Sequence, residues 1–268
     1  MVAGRGGLAS VVARVRELAR DYEPPDFGHV PDPDAAIFLC AVDHKTGYAR
    51  AHEIEGRGPF EGSELMWEVA LGAASSQPGL LTAGRLHDLS VDAVASIFEV
   101  DGDTVADPAR RAGLWRDLAV GLQGEYGGEA SGLLATSDGK LGGEGGLLDR
   151  LARFEAYSDP LAKKSFLFAK ICERRGWLDV RDPKRWEVCG DNVLMRLALR
   201  SGLVEPGPLA EVRESTRAAL KRVATEAGVA PPVLDDLLWE LGRHDPDLLG
   251  AAAGDLREPP RDPESAWY

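Results

Sequence analysis

The chain contains few cysteines and none of the long apolar stretches that membranes require. Cys40, Cys172 and Cys189 are widely spaced and form no C-x-x-C pair, so neither a disulfide framework nor a zinc site is expected. No apolar run approaches the roughly 20 residues that span a bilayer. Arginines interrupt the first 22 residues, where a signal peptide would need a continuous apolar core, so we interpret 8–22 as an amphipathic helix. Without a signal for export, the expected compartment is the cytoplasm.

Positive charge is also scarce. The chain has 31 Lys and Arg against 44 Asp and Glu, a net charge of −13. Because DNA binding depends on neutralising phosphates, this balance argues against nucleic acid as a partner. The distribution is uneven, however. Between Leu161 and Arg222 the basic residues outnumber the acidic ones by 14 to 8, a local surplus of positive charge that weakens the argument.

Alternating strand patterns are nearly absent, whereas helix start signals recur along the chain. We therefore predict an all-α protein of about nine or ten helices, with a loop or hairpin over 44–63. The predicted regions are an N-terminal helical region over 1–158, a C-terminal helical region over 159–250 and a tail over 251–268. Side chains expected to begin helices are those of Ser63, Ser90, Asp107, Asp159 and Asp191.

The stretch from Asp159 to Val204 contains the residues that are best suited to catalysis. It places Lys163 and Lys164 near the start of one predicted helix and Asp191 at the start of the next. Lysines on a helix surface are commonly solvated, but a lysine whose pKa is lowered by desolvation and neighbouring ammonium groups acts as a nucleophile. A carboxylate at a helix N-terminus is an ordinary cap, and it also stabilises a developing sugar cation or accepts a proton from a nucleophile. Together an amine and a carboxylate suit cleavage of a glycosidic carbon–nitrogen bond.

Three blocks of the sequence resemble, in type and order, the C-terminal half of the archaeal 8-oxoguanine DNA glycosylases. These blocks are KKSFLFAKI, DNVLMRLALRSGLV and GVAPPVLDDLLWELGR. These enzymes belong to the helix–hairpin–helix base-excision superfamily. The resemblance implies a two-lobed helical DNA-glycosylase-like fold with a helix–hairpin–helix-type unit, whose catalytic region is 159–250. It places the Schiff-base lysine on Lys164 and the catalytic aspartate on Asp191. The late signature of the family falls on Asp235 or Asp236, Trp239, Gly242 and Arg243.

The activity implied by this resemblance is removal of a damaged or modified purine such as 8-oxoguanine from DNA, with lyase cleavage of the backbone. The family's LPGVG hairpin is absent, and its proline-rich approach to the aspartate is replaced by WEVCGD. The layout of the chain is also similar to that of the queuosine-nucleotide N-glycosylases, which act on a free modified nucleotide and use an aspartate. In that alternative Asp191 stabilises the sugar cation and Lys164 holds phosphate. A third alternative is a non-catalytic, nucleic-acid-binding relative.

Other side chains around the two helices are candidates for substrate binding. Trp177 and Trp186 flank the linker before Asp191 and are candidates for stacking on a base, and the basic residues of the linker are candidates for holding phosphate. His44, His52 and His87 lie in loop-like segments without ligand spacing, so we expect surface or capping roles, no metal and no cofactor. The predicted substrate-binding residues are Lys163, Trp177, Arg181, Lys184, Arg185, Trp186 and Arg196.

Overall fold

The computed structural model describes residues 5–253, 258–262 and 264–267, and part of the predicted tail lies outside these ranges. The described residues form twelve α-helices and one short antiparallel hairpin, which confirms the all-α prediction and the hairpin within 44–63. The strands are β1 (His52–Ile54) and β2 (Arg57–Phe60). No helix in these ranges is long and apolar enough to cross a membrane. The helices are α1 (Arg5–Leu18), α2 (Pro33–Val42), α3 (Gly62–Ser76), α4 (Ala83–Leu86), α5 (Val91–Ile97), α6 (Pro108–Glu125), α7 (Ala130–Thr136), α8 (Leu147–Leu151), α9 (Lys163–Arg174), α10 (Asn192–Arg200), α11 (Leu209–Ala227) and α12 (Pro231–Gly242).

Three of the predicted helix starts are confirmed by side-chain hydrogen bonds to backbone N–H groups. Ser90 accepts from Ala93, at 3.2 Å, and begins α5. Asp107 and Asp191 begin α6 and α10 in the same way, through acceptor distances of 3.0 Å and 2.9 Å. Such caps satisfy donors that the first turn of a helix leaves unpaired.

Two predicted starts are wrong in detail. The Ser63 hydroxyl donates to Asp43 at 2.6 Å, and α3 begins one residue earlier. Asp159 does not directly precede α9, which begins at Lys163. The Asp159 carboxylate instead accepts from the N–H groups of Leu161 and Lys163, both at 3.1 Å, and so orders the turn that leads into the helix.

The chain divides into two compact units that do not follow the predicted boundary at 158/159. The N/C unit contains Met1–Asp26 and Lys184–Ser265, and the middle unit contains Phe27–Pro183 and Ala266–Tyr268. The N/C unit joins segments far apart in the chain because α1 packs against α11. No local sequence pattern reports such a pairing.

Apolar side chains of α1, α10, α11 and α12 form the core of the N/C unit. Gly242 allows α12 to approach α10 closely, since a Cβ there would lie 2.6 Å from Leu197 Cδ1. Polar bonds tie the N-terminal segment to the end of this unit. Arg14 Nε donates to the Leu248 carbonyl at 3.3 Å, and the Tyr22 hydroxyl donates to Glu240 at 2.8 Å.

The middle unit is built around α2, in which every residue from Ala35 to Val42 is buried. The apolar segment there was compatible with helix or strand, and the structure shows a helix capped by Asp32. Helices α6 and α9 pack against it. Buried polar groups bond to its carbonyls: Trp115 Nε1 donates to Phe38 at 2.7 Å, and the Tyr157 hydroxyl donates to Ile37 at 2.5 Å.

Helix α7 is held close to both α2 and the end of α6. The N–H of Ala130 donates to Asp34 of α2 at 2.6 Å. A Cβ on Gly132 would lie 2.3 Å from the Tyr126 carbonyl oxygen, a backbone atom with little room to move. The position of α7 therefore depends on glycine at 132.

We predict that Gly132→Ala lowers the free energy of unfolding by about 1–3 kcal/mol, because the added methyl group overpacks against backbone. The matched control is Gly113→Ala in α6, where a Cβ meets nothing within 4 Å. The control should raise stability by up to about 1 kcal/mol through helix propensity. Urea denaturation followed by circular dichroism measures both, and equal effects of the two variants would contradict this account of α7.

Candidate functional site

Lys164 lies in the first turn of α9, with its side chain fully buried in the middle unit. Its Nζ donates to the carbonyl of Ala41 at 2.5 Å and lies 3.2 Å from Nδ1 of His44. Ala41 is in the last turn of α2, where carbonyl groups lack intrahelical partners and the helix dipole favours a cation. The packing of α9 against α2 thus brings an amine to a helix C-terminus.

The surroundings of Lys164 disfavour its charged form. Burial lowers the pKa of its amine to about 7, and the positive charges of Lys163 and Arg111 act in the same direction against the opposing effect of Asp43. An amine with this pKa is unprotonated in a large fraction of molecules at neutral pH. Its lone pair is then available for nucleophilic attack.

His44, for which a surface or capping role was expected, is instead a buried neighbour of Lys164. It is only 6% exposed, and burial together with the charges of Lys164 and Arg111 lowers its pKa far below the usual value. The imidazole is therefore neutral, and its Nδ1 is an acceptor for Lys164 when the ring proton is on Nε2. Arg111, also buried, donates to the carbonyls of His44 and Ala106 and fixes this segment.

The signal that would have identified this environment is the position of AVDH directly after a wholly apolar segment. A histidine two residues after the end of a buried helix is itself within reach of the core. His52 is buried as well, with its ring nitrogens 3.4 Å from Asp101 and 3.2 Å from Asp103, so its expected surface role is also wrong. Only His87 of these three histidines is exposed.

Asp191 begins α10 in the N/C unit and is 7% exposed. The loop before it is held by two hydrogen bonds. The N–H of Cys189 donates to Asp235 at 2.7 Å, and Arg213 Nε donates to the carbonyl of Gly190 at 3.1 Å. The late DDLLWELGR block therefore contributes Asp235 to the support of Asp191.

The other residues of that block have packing roles. The Arg243 guanidinium lies 4.8 Å from the ring centroid of Trp239, a cation–π distance. Gly242 permits the close approach of α12 to α10. Lys164 belongs to the middle unit and Asp191 to the N/C unit. The contacts described for each residue come from its own unit.

Trp177 and Arg181, predicted to bind substrate beside Lys164, lie at the other end of α9. The N–H of Trp177 donates to the Cys172 carbonyl in the last turn of that helix. Lys164 is ten residues before the last residue of α9, a separation of about 15 Å along the axis. Lys164 and the Trp177–Arg181 segment therefore belong to opposite ends of α9.

The remaining predicted substrate residues have varied positions. Trp186 is 4% exposed, so its indole is a core group and not an open stacking surface, which corrects that prediction. Arg196 donates to the Gly242 carbonyl at 3.2 Å and helps to join α10 to α12. Lys163 is partly buried beside Lys164, whereas Lys184 and Arg185 are exposed in a short 3-10 turn. Within the described ranges, no group of three or more His, Cys, Asp or Glu is placed to hold a metal ion.

We predict that Lys164 makes stability rise with pH between about 7 and 10.5. Below pH 7 the lysine is protonated in both the folded and the unfolded chain. Between the folded pKa of about 7 and the usual value of 10.5, only the unfolded chain keeps the proton. The free energy of unfolding of the native chain relative to Lys164→Met should therefore increase by about 1.4 kcal/mol for each pH unit in that window. Urea denaturation across this range measures the difference, and a flat difference would contradict the lowered pKa.

We predict that two substitutions distinguish the capping role of Asp191 from the role of its negative charge. Asp191→Asn keeps a side-chain acceptor for the Leu194 N–H, so the free energy of unfolding should stay within about 0.5 kcal/mol of the native value. Asp191→Ala removes the acceptor and should lower stability by about 1 kcal/mol. If the charge is catalytic, base release by Asp191→Asn should fall by about a hundredfold or more. Unchanged base release in Asp191→Asn would leave this residue only its capping role.

Comparison with known proteins found no matching family model. A search of curated protein sequences also found no significant match. Inference about function therefore depends on the residues and geometry of the chain itself.

Proposed function

We propose that this chain cleaves N-glycosidic bonds, with Lys164 as the amine nucleophile. The observation that carries the proposal is the environment of this lysine. It is fully buried, hydrogen-bonded to a helix C-terminal carbonyl and 3.2 Å from a neutral imidazole, with a pKa lowered to about 7. These are the conditions under which a lysine becomes a nucleophile near neutral pH.

In the proposed reaction, the lone pair of Nζ forms a bond to the sugar C1′ while the bond from C1′ to the base breaks. The departing base keeps the electron pair of that bond and takes up a proton. The amine loses a proton, and the adduct opens to a Schiff base from which lyase cleavage of the sugar–phosphate backbone follows. Because Lys164 is fully enclosed in this structure, attack requires that the groups around Nζ move apart to admit the sugar.

A damaged or modified purine in DNA, such as 8-oxoguanine, is the leading substrate. The lowered pKa of Lys164 favours a nucleophile over the phosphate-holding role of the alternative, because an amine that binds phosphate must keep its charge. The activating role predicted for Asp191 is carried by the resemblance of the sequence alone, and its carboxylate belongs to the N/C unit. The finer fold assignment, a two-lobed DNA-glycosylase-like fold with a helix–hairpin–helix-type unit, is supported by the helical content and by the Asp235–Cys189 bond before Asp191.

The net charge of −13 favours a second candidate, release of a base from a free modified nucleotide. A single nucleotide carries far fewer phosphates than a duplex, so its binding needs less positive charge on the protein. This candidate requires no covalent intermediate at Lys164. The two proposals therefore differ in an observable product.

We expect borohydride to trap a covalent adduct between the chain and duplex DNA that contains 8-oxoguanine. Reduction of a Schiff base makes the bond permanent, so the adduct is seen as a protein band of increased mass. Lys164→Met should abolish the adduct. The matched control is Lys140→Met, which removes an exposed lysine of the same unit and should leave trapping unchanged.

Loss of the adduct in both variants, or no adduct with any damaged duplex, would contradict the nucleophile assignment. Base release from a free modified nucleotide without trapping would identify the second candidate. Binding to nucleic acid without either reaction would identify the non-catalytic alternative.

A further inference from the structure

A concave site lies at the end of α9 opposite Lys164, wholly within the middle unit. It is a pocket of about 440 Å³, within the range of small-molecule sites. Leu134 and Leu178 contribute apolar surface, and Trp177 contributes the face or edge of an indole. The charged residues of the lining are Asp138, Asp179 and Arg181.

The two chain segments that form this pocket are fixed to each other before any ligand binds. The N–H of Arg181 donates to the carbonyl of Gly139 at 2.8 Å, and its guanidinium pairs with Asp138 at 2.7 Å. Gly139 has φ +71°, and a Cβ there would lie 2.4 Å from the Asp179 carbonyl oxygen. Asp182 adds a second tie, since its carboxylate accepts from the N–H groups of Leu141 and Gly142. A preformed pocket loses less conformational entropy on binding.

The aromatic component of the pocket is also held in place. Trp177 is partly buried, and the guanidinium of Arg175 lies 5.2 Å from its ring centroid. This contact has cation–π geometry and restrains the indole. A flat ring bound against Trp177 and Leu178 would gain both apolar burial and stacking.

The charges around the pocket indicate the sign of the ligand. Arg181 is the only basic residue of the lining, and its guanidinium is paired with Asp138. The exposed carboxylate of Asp179 makes no ion pair among the described residues. Because Asp138 and Arg181 offset each other, the carboxylate of Asp179 is the group of the lining that can pair with a ligand cation. The guanidinium of Arg175, outside the lining, is held against the ring of Trp177.

We propose that this pocket binds a small aromatic amine, with its ring against Trp177 and its ammonium group directed to Asp179. The site is separated from Lys164 by the length of α9, about 15 Å. We therefore treat its occupation and the glycosidic chemistry proposed for the lysine as separate proposals.

The test is calorimetric titration of the full chain with tryptamine, compared with indole-3-propionate, which joins the same ring to a carboxylate. We expect tryptamine to bind at least about fivefold more tightly, since an exposed carboxylate contributes a modest electrostatic preference. Asp179→Asn should bring the two affinities to near parity. Asp88→Asn, which removes an exposed carboxylate elsewhere in the same unit, should leave the preference unchanged.

A second variant tests the location without disturbing the core. Ala135 is exposed at the edge of the pocket, so Ala135→Trp should fill it and abolish tryptamine binding in a folded chain. Lys164→Met should leave the affinity for tryptamine unchanged, which separates this proposal from that of the glycosidic reaction. Equal affinity for the two probes, binding that survives Ala135→Trp, or no binding of tryptamine would overturn the proposal.

Discussion

The middle unit depends on the complete burial of α2. A helix with apolar residues on all faces gains stability from every side, but its last carbonyl groups have no intrahelical partners and must bond elsewhere. Trp115 and Tyr157 donate to carbonyls within the helix, and Lys164 donates to that of Ala41 in its last turn. The lysine that satisfies this carbonyl is buried as a consequence, and burial is the main cause of its lowered pKa. The burial of Lys164 thus accounts both for its structural role and for its proposed chemistry.

Asp191 shows the same coincidence of roles in the N/C unit. Its carboxylate caps α10, and its loop is held by Asp235 and Arg213. A cap needs only an acceptor oxygen, whereas stabilisation of a sugar cation or of a proton needs the negative charge. The dipole of a helix favours a negative charge at its N-terminus, so the capping role is compatible with the role proposed for Asp191.

Helix α9 separates two different environments in the middle unit. At its start, Lys164 is buried beside His44, and this burial disfavours the charged form of the lysine. Beyond its end, Trp177 and Asp179 line the pocket that we propose to bind an aromatic amine. The helix keeps these two features about 15 Å apart along its axis.

The sequence alone was sufficient for features that depend on contacts within three or four residues. Helical class and the caps at Ser90, Asp107 and Asp191 follow from local spacing and local hydrogen bonds, whereas 44–63 was limited to a loop or hairpin and the structure shows a hairpin. The lysine pair and Asp191 also stood out by residue type and position. Tertiary structure alone decided the pairing of α1 with α11, the burial of His44, Arg111 and Trp186, and the distance of Trp177 from Lys164. These features depend on which helices pack together, and that choice is made by the whole apolar surface of each unit, which no short segment of the chain encodes.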